Sequence, residues 1–321
     1  MEKSRLKIQT KNEEVIWLRA EEVEMLEQVW THRTMQAKSI HAIYQATSHT
    51  LRNSNAISNR LTRLVELEFL IRFTKDVSVT RARVPRYYYR LGKKGLRLLA
   101  EQKRLVLNNR TRKDYHLFKN SPIPSKHTDA MSILANQIYL SCWNEIPGLT
   151  HRKGVAGKLI SSTRDKKLIR ENGVEPDWIF QVDNRLLCIE LDTGSQEHVA
   201  IRKKFGRYYR LQKVLQKEGY QLAILFAVPD DSIDVVQKNK RKDRSVRVEG
   251  LNQLYVDYIT TPVSFLQGKV EYRELKKVYA LPTREAVSFA HQLLKLPEWR
   301  DDLLLNDLKS ITETQTKGEE R

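Results

Sequence analysis

The feature that most limits how this chain can fold is a pair of β runs, Asp177–Val182 and Arg185–Asp192, separated only by Asp183-Asn184. Both loop residues tolerate a positive φ, so the segment reads as a tight hairpin. A two-residue loop fixes the register: Val182 faces Arg185 and, further out, Asp177 faces Glu190. Facing side chains on one side of a sheet have Cβ atoms about 4.5–5.5 Å apart. Asp192 shares the face of Glu190, because side chains alternate with period two. The spacing therefore predicts that Asp177, Glu190 and Asp192 converge at one strand end.

The rest of the hairpin is apolar: Trp178, Ile179, Phe180, Leu186, Leu187 and Ile189. Like charges facing each other destabilise a sheet unless something compensates. A divalent cation is the simplest compensation, and Mg²⁺ or Mn²⁺ takes oxygen ligands of this kind. Asp177, Glu190 and Asp192 are thus the candidate metal ligands; a metal so held can activate water and stabilise a phosphate in transfer. The plainer alternative is that the register slips, or that the three carboxylates are solvated at a sheet edge. The following helix, expected over 196–217, buries Ile201, Phe205, Tyr208, Leu211 and Leu215 on one face. Lys204 lies beside that stripe and can reach back to the carboxylates, whereas Lys203 points to solvent. Further strands are expected at Gln221–Val228 and Leu254–Ile259. The class is α/β, a central mixed sheet with flanking helices.

Charge divides the chain. Residues 1–120 hold 25 basic and 12 acidic side chains, and the excess narrows to Arg52–Lys113, where 17 basic residues meet four acidic ones. Solvated surfaces usually balance their signs, so this imbalance favours a polyanion partner through counterion release. The pattern in the same region is three helices (21–30, 37–44 and one capped by Asn53 or Ser54 running to Leu67), then a basic β hairpin between Phe69–Phe73 and Arg86–Leu91, then a closing helix. That is the layout of a winged helix. The third helix buries Ile57, Leu61, Leu64 and Val65, and exposes Asn55, Ser58, Asn59, Thr62 and Arg63, groups suited to major-groove edges and phosphates. Arg81, Arg83 and Arg86 are expected on the wing. Tyr87, Tyr88 and Tyr89 are expected to pack it.

The polar segment 108–125, broken by Pro122 and Pro124, marks a boundary. It gives a DNA-binding domain over 15–105, a linker over 106–126, a second domain over 127–310 and a disordered tail over 311–321. Cys142 and Cys188 make neither a disulfide framework nor a zinc site. The longest strongly apolar run, Leu222–Val228, is far short of the roughly 20 residues that span a bilayer. No secretory signal is visible, so a cytoplasmic setting is expected.

Pro176-Asp177 followed by Glu190-Leu191-Asp192 resembles the restriction-endonuclease-like nuclease core, P-D…(D/E)-x-K. That resemblance implies Asp177 and Glu190 as Mg²⁺ ligands; Asp192 stands where the core has Lys. Some members of that superfamily carry the Lys on the next helix, as Lys204 is placed here. The winged-helix phrase Asn59-Arg60-Leu61-Thr62-Arg63-Leu64-Val65-Glu66, the proline-broken linker and Glu-Pro-Asp…Glu-Leu-Asp-Thr-Gly together resemble the replication-relaxation family, over roughly 20–260. The resemblance implies a bacterial plasmid or mobile-element protein acting in DNA relaxation, replication and mobilisation, bound to double-stranded DNA at an origin.

Two functions follow as expectations. One is a metal-dependent nickase with Asp177, Glu190, Asp192 and Lys204 as its catalytic set; a Tyr208 or Tyr209 nucleophile is weighed and set below core packing. The other is a non-catalytic origin-binding or transcriptional regulatory protein with a degenerate nuclease fold. A homodimer and contacts with replication or conjugation proteins are the further partners considered.

Overall fold

The computed structural model describes residues 5–9, 15–48, 53–79, 82–109, 111–112, 115, 124–154, 163–230, 244–266 and 269–299. Among these the chain forms nine helices, a three-stranded antiparallel sheet, a five-stranded mixed sheet and two short ribbons, a mixed α/β architecture. It divides into two compact units, Met1–Ser132 and Ile133–Arg321. No helix among the described residues is long and apolar enough to cross a membrane. The tail expected over 311–321 lies outside the described residues.

The first unit opens on a ribbon of β1 (Arg5–Gln9) and β2 (Val15–Arg19), an element absent from the sequence expectations. Next come α1 (Ala20–His32), the short strand β3 (Met35–Gln36), α2 (Ala37–Thr47) and α3 (Ser54–Glu66). The hairpin β4 (Leu70–Val79) and β5 (Ala82–Leu91) completes a sheet of order β3-β5-β4, and α4 (Lys93–Glu101) closes the unit. The hairpin strands run further than their apolar ends suggest. Lys75 pairs with Arg86 and Ser78 with Arg83 in an unbroken ladder, because backbone pairing needs no apolar side chain. The helices meet over Val23, Leu26, Trp30, Ile40, Tyr44, Ile57, Leu61 and Leu64, all buried. One polar tie runs through that core: Arg60 of α3 donates from Nη2 to Glu22 Oε2 (2.7 Å) and to the Trp17 carbonyl (2.9 Å), and its Nε also contacts Glu22.

The helix α5 (Lys126–Ser141) carries the chain into the second unit. There the strands β6 (Thr150–Lys153), β7 (Trp178–Val182), β8 (Arg185–Leu191), β9 (Gln221–Val228) and β12 (Val278–Pro282) form one sheet of order β12-β9-β8-β7-β6. The remaining elements are α6 (Thr163–Glu171), α7 (His198–Lys217), α8 (Arg244–Thr260), a ribbon of β10 (Ser264–Leu266) with β11 (Lys269–Glu271), and α9 (Thr283–Lys295). β8, β9 and β12 are parallel, so α7 and α8 are their crossovers. Both helices pack on one sheet face, where Ile179, Leu186 and Cys188 meet Ile201, Phe205 and Tyr208 of α7 and Leu251 and Leu254 of α8.

The strand expected at Leu254–Ile259 is instead part of α8. Its apolar residues serve a helical face: Leu251, Leu254, Tyr255 and Tyr258 recur at three- and four-residue steps and pack on the same core. The parallel edge strand is β12, which the sequence reading passed over.

Candidate functional site

The hairpin register comes out as the loop length dictates. Val182 pairs with Arg185, and the ladder runs to Trp178 with Ile189. Asp183 takes φ 50°, the left-handed conformation the tight turn needs. Asp177 and Glu190 are the next residues outward. Glu190 and Asp192 share the parity of Leu186 and Cys188, so their side chains leave the sheet on the face that α7 and α8 cover. Before β7 the backbone of Gly154 closes tightly on Pro176. A Cβ there would stand 2.3 Å from the Pro176 carbonyl oxygen, so no larger residue fits beside the first carboxylate.

Each carboxylate has its own protein donors. Asp177 Oδ2 accepts from the Leu191 amide (2.9 Å). Glu190, only 2 % exposed, accepts from Lys204 Nζ at Oε2 (2.7 Å) and from the Tyr208 hydroxyl at Oε1 (2.6 Å). Asp192 Oδ2 accepts from Arg247 Nε (2.7 Å) and its Oδ1 from the Gly194 amide (2.9 Å). Arg247 also donates to the Gln196 carbonyl (3.0 Å), which ties α8 to the loop between β8 and α7.

The electrostatics follow from burial. Desolvation pushes the Glu190 carboxyl up to about 7; the Lys204 cation pulls it down, and the neighbouring Asp177 charge adds to the rise. Tyr208, wholly buried and facing Glu190, has its hydroxyl pushed well above the usual phenol range, so it stays a donor. The compensation that sequence reasoning assigned to a metal is supplied in large part by side chains: two cations, Lys204 and Arg247, sit on two of the three carboxylates. Among the described residues, no group of three or more His, Cys, Asp or Glu side chains is arranged to hold a metal ion.

Asp177, Glu190 and Lys204 are therefore brought together, whereas Asp192 is taken up by Arg247, and the three carboxylates expected to share a metal form no such group among the described residues. One site residue, Arg247, was missed. Tyr208 is in the core as assigned, and from there its hydroxyl reaches Glu190, on the helical face that its four-residue spacing from Lys204 sets. Arg247 carries no sequence signal of its own. Lys203 is exposed, as expected.

In the first unit, α3 is capped by Asn53 Oδ1, which accepts from the Asn55 amide (2.8 Å). Asn55, Ser58, Asn59, Thr62 and Arg63 are all exposed, opposite buried Ile57, Leu61 and Leu64. Arg63 makes an exposed contact to Glu66 at 3.3 Å, of the kind that competes weakly with a phosphate. Arg60, in the same helix, points inward to Glu22 and is no part of this face. On the hairpin, Arg86 is half-buried, and Arg81 and the Arg83 side chain lie outside the described residues. Tyr88 and Tyr89 are buried, with the Tyr88 hydroxyl donating to Asp129 (3.0 Å). Tyr87 departs from the packing assigned to all three. It is 42 % exposed with the Arg72 guanidinium 5.4 Å from its ring centroid, because it shares Tyr89's face but stands further out along the hairpin.

A family model for replication-relaxation proteins matches residues 26–222, more than half of the chain. The match takes in α3 together with Asp177, Glu190, Lys204 and Tyr208, and stops short of Arg247. No curated protein and no solved structure matches the chain.

Proposed function

The chain belongs to the replication-relaxation family, and from that premise we propose that it binds double-stranded DNA at a plasmid or mobile-element origin and nicks it with a divalent cation. Residues 15–105 act as a winged helix and residues 127–310 as a restriction-endonuclease-like domain, joined by the linker over 106–126. The observation that carries the catalytic half is the grip of Lys204 on Glu190 beside Asp177. This is the acid, acid and lysine set of the nuclease core, with the lysine supplied by the following helix.

The donors suit Mg²⁺ or Mn²⁺ in chemistry, being hard carboxylate oxygens. Asp177 and Glu190, whose charges act on each other, would hold the ion; Glu190, like Asp192, has both oxygens engaged by protein donors, so an ion there would displace one of them. Bound there, the ion would supply a polarised phosphoryl oxygen and a water-derived nucleophile. Tyr208 holds the Glu190 carboxylate from the core side, and Lys204 brings positive charge to the place where phosphoryl charge develops. Arg247 fixes Asp192 and with it the loop that leads into α7. On the DNA-binding half, Asn55, Ser58, Asn59, Thr62 and Arg63 read the groove and backbone, with Arg81, Arg83 and Arg86 on the wing.

A second reading has its own observation. All three carboxylates have protein donors, and Asp192 stands where the nuclease core has lysine. On that reading the chain is a non-catalytic origin-binding or regulatory protein, and its second domain serves a homodimer or replication and conjugation proteins. One experiment separates the two. Supercoiled plasmid carrying the cognate origin is incubated with protein and Mg²⁺ or Mn²⁺, comparing wild type with Asp177→Ala and Glu190→Ala. Metal-dependent nicking lost in both variants supports the nickase; origin binding without nicking in wild type supports the second reading. Arg63→Ala is expected to weaken origin binding and lower its salt dependence; an unchanged affinity and slope would remove α3 as the reading helix.

A further inference from the structure

The helix that supplies Lys204 has an unusual charge pattern. Over its twenty residues α7 carries seven Lys and Arg and no Asp or Glu. A solvated helix usually interleaves the two signs at three- and four-residue steps. Here those steps place like charges together, Lys203 with Arg207 and Arg207 with Arg210, an arrangement that destabilises the isolated helix. The basic residues divide by what they touch. Lys204 turns to Glu190, Arg202 lies 3.7 Å from Asp257, and Lys213 sits over the Tyr209 ring at 4.6 Å. Lys203, Arg207, Arg210 and Lys217 are left on the exposed side, opposite buried Ile201, Phe205, Tyr208, Leu211 and Leu215. Among the described residues no carboxylate lies within ion-pair distance of Lys203, Arg207 or Arg210.

At 100° and 1.5 Å per residue, these four fall within an arc of about 80° and span roughly 21 Å along the helix. That is a narrow cationic ridge, about the length of six nucleotide steps of one duplex strand at roughly 3.4 Å each.

We propose that the exposed ridge of α7, Lys203, Arg207 and Arg210 with Lys217 beyond, is a DNA-backbone contact in its own right, separate from α3. The occupant is the sugar-phosphate backbone of duplex DNA. Charge complementarity selects it: the ridge offers a row of long cations, with Val199 the one large apolar side chain exposed beside it among the described residues of the helix, too little apolar surface for a protein partner to bury. The proposal rests on the DNA-binding reading given above and extends it to the second unit.

The test uses the full chain and a short linear duplex of arbitrary sequence. Affinity is measured against salt concentration for wild type, for K203Q/R207Q/R210Q, and for the control R284Q/K295Q on α9. Three lost phosphate contacts are expected to lower the log–log salt slope by about 2.7, at about 0.9 per contact, and the control by much less. Thermal melting of the triple variant should be unchanged or raised, since only like-charge repulsion is removed. An unchanged slope, or a control that lowers it as much per charge, overturns the proposal. Failure of the nickase reading looks different: wild type then shows no metal-dependent nicking, while the triple variant still loses slope.

Discussion

Lys204 Nζ lies 2.7 Å from Glu190 Oε2, across the step from a central strand to the helix that follows it. Glu190 is almost wholly enclosed, while the lysine side chain keeps 22 % of its surface. The pair is thus asymmetric: the lysine reaches solvent and the glutamate does not. Lys204→Met should leave Glu190 with the Tyr208 hydroxyl as its side-chain donor and cost about 1–3 kcal/mol of stability. The fold should survive, because a carboxyl already pushed to about 7 can take up a proton instead of standing uncompensated. Urea unfolding measures the first effect. Metal-dependent nicking, expected to vanish, measures the second.

Tyr208 bears on the chemistry of any cut. Its hydroxyl is buried and donates to Glu190, so it is neither accessible to a phosphate nor deprotonated. Tyr208→Phe keeps the ring in the core and removes one donor. Stability should fall by about 1–2 kcal/mol, and nicking should slow without disappearing. If the variant were fully inactive while still folded and DNA-bound, and wild type left a covalent protein–DNA adduct that the variant lacked, a tyrosine nucleophile would have to be restored.

Much of this site was legible because a two-residue loop leaves a hairpin one register. From Asp183-Asn184 the facing of Asp177 and Glu190 follows by counting, and helical geometry then puts Lys204 rather than Lys203 toward them. What was not legible came from longer range. Arg247 reaches Asp192 from a helix 55 residues on, and nothing local in the sequence reports that contact. The segment Leu254–Ile259 misled for a related reason: a short apolar run suits a strand or a buried helical stripe, and only packing against Phe205 and its neighbours decides. Tyr87 to Tyr89 read as one packing unit, yet the body of the unit covers two of the three.

The first unit depends on one buried pair. Glu22 has no exposed surface, and Arg60 supplies it with two guanidinium nitrogens while also holding the Trp17 carbonyl. Removing one partner of such a pair leaves a buried charge without its counterion, at about 3–5 kcal/mol. Arg60→Ala is expected to lower the unfolding midpoint of this unit and to lose DNA binding as a consequence. Arg63→Ala, on the exposed side of the same helix, should weaken binding while leaving the midpoint within about 0.5 kcal/mol of wild type. Paired melting and binding curves check both; equal destabilisation by the two would refute the inward and outward assignment of these arginines.

His151 predicts how the second unit responds to acid. Its ring is enclosed by Tyr139, Phe180 and Trp178, with centroids 4.6, 5.4 and 5.9 Å away, and its Nδ1 accepts from Trp178 Nε1 at 3.1 Å. That bond requires a neutral ring, and burial pushes its pKa down from 6.5 to about 3. The folded value lies below the unfolded one, so the unfolded chain binds the extra proton as pH falls. The stabilisation is complete above pH 6.5 and is lost downward from there, at about 1.4 kcal/mol per pH unit. Between pH 7 and pH 5 the loss from this residue should be about 2 kcal/mol. His151→Phe should be less stable at pH 7, because the buried Trp178 N–H loses its acceptor, and should shed that part of the acid slope. Urea unfolding at pH 5, 6 and 7 for both proteins decides the matter: parallel pH profiles would mean that the ring is already charged, or already open to water, in the folded protein.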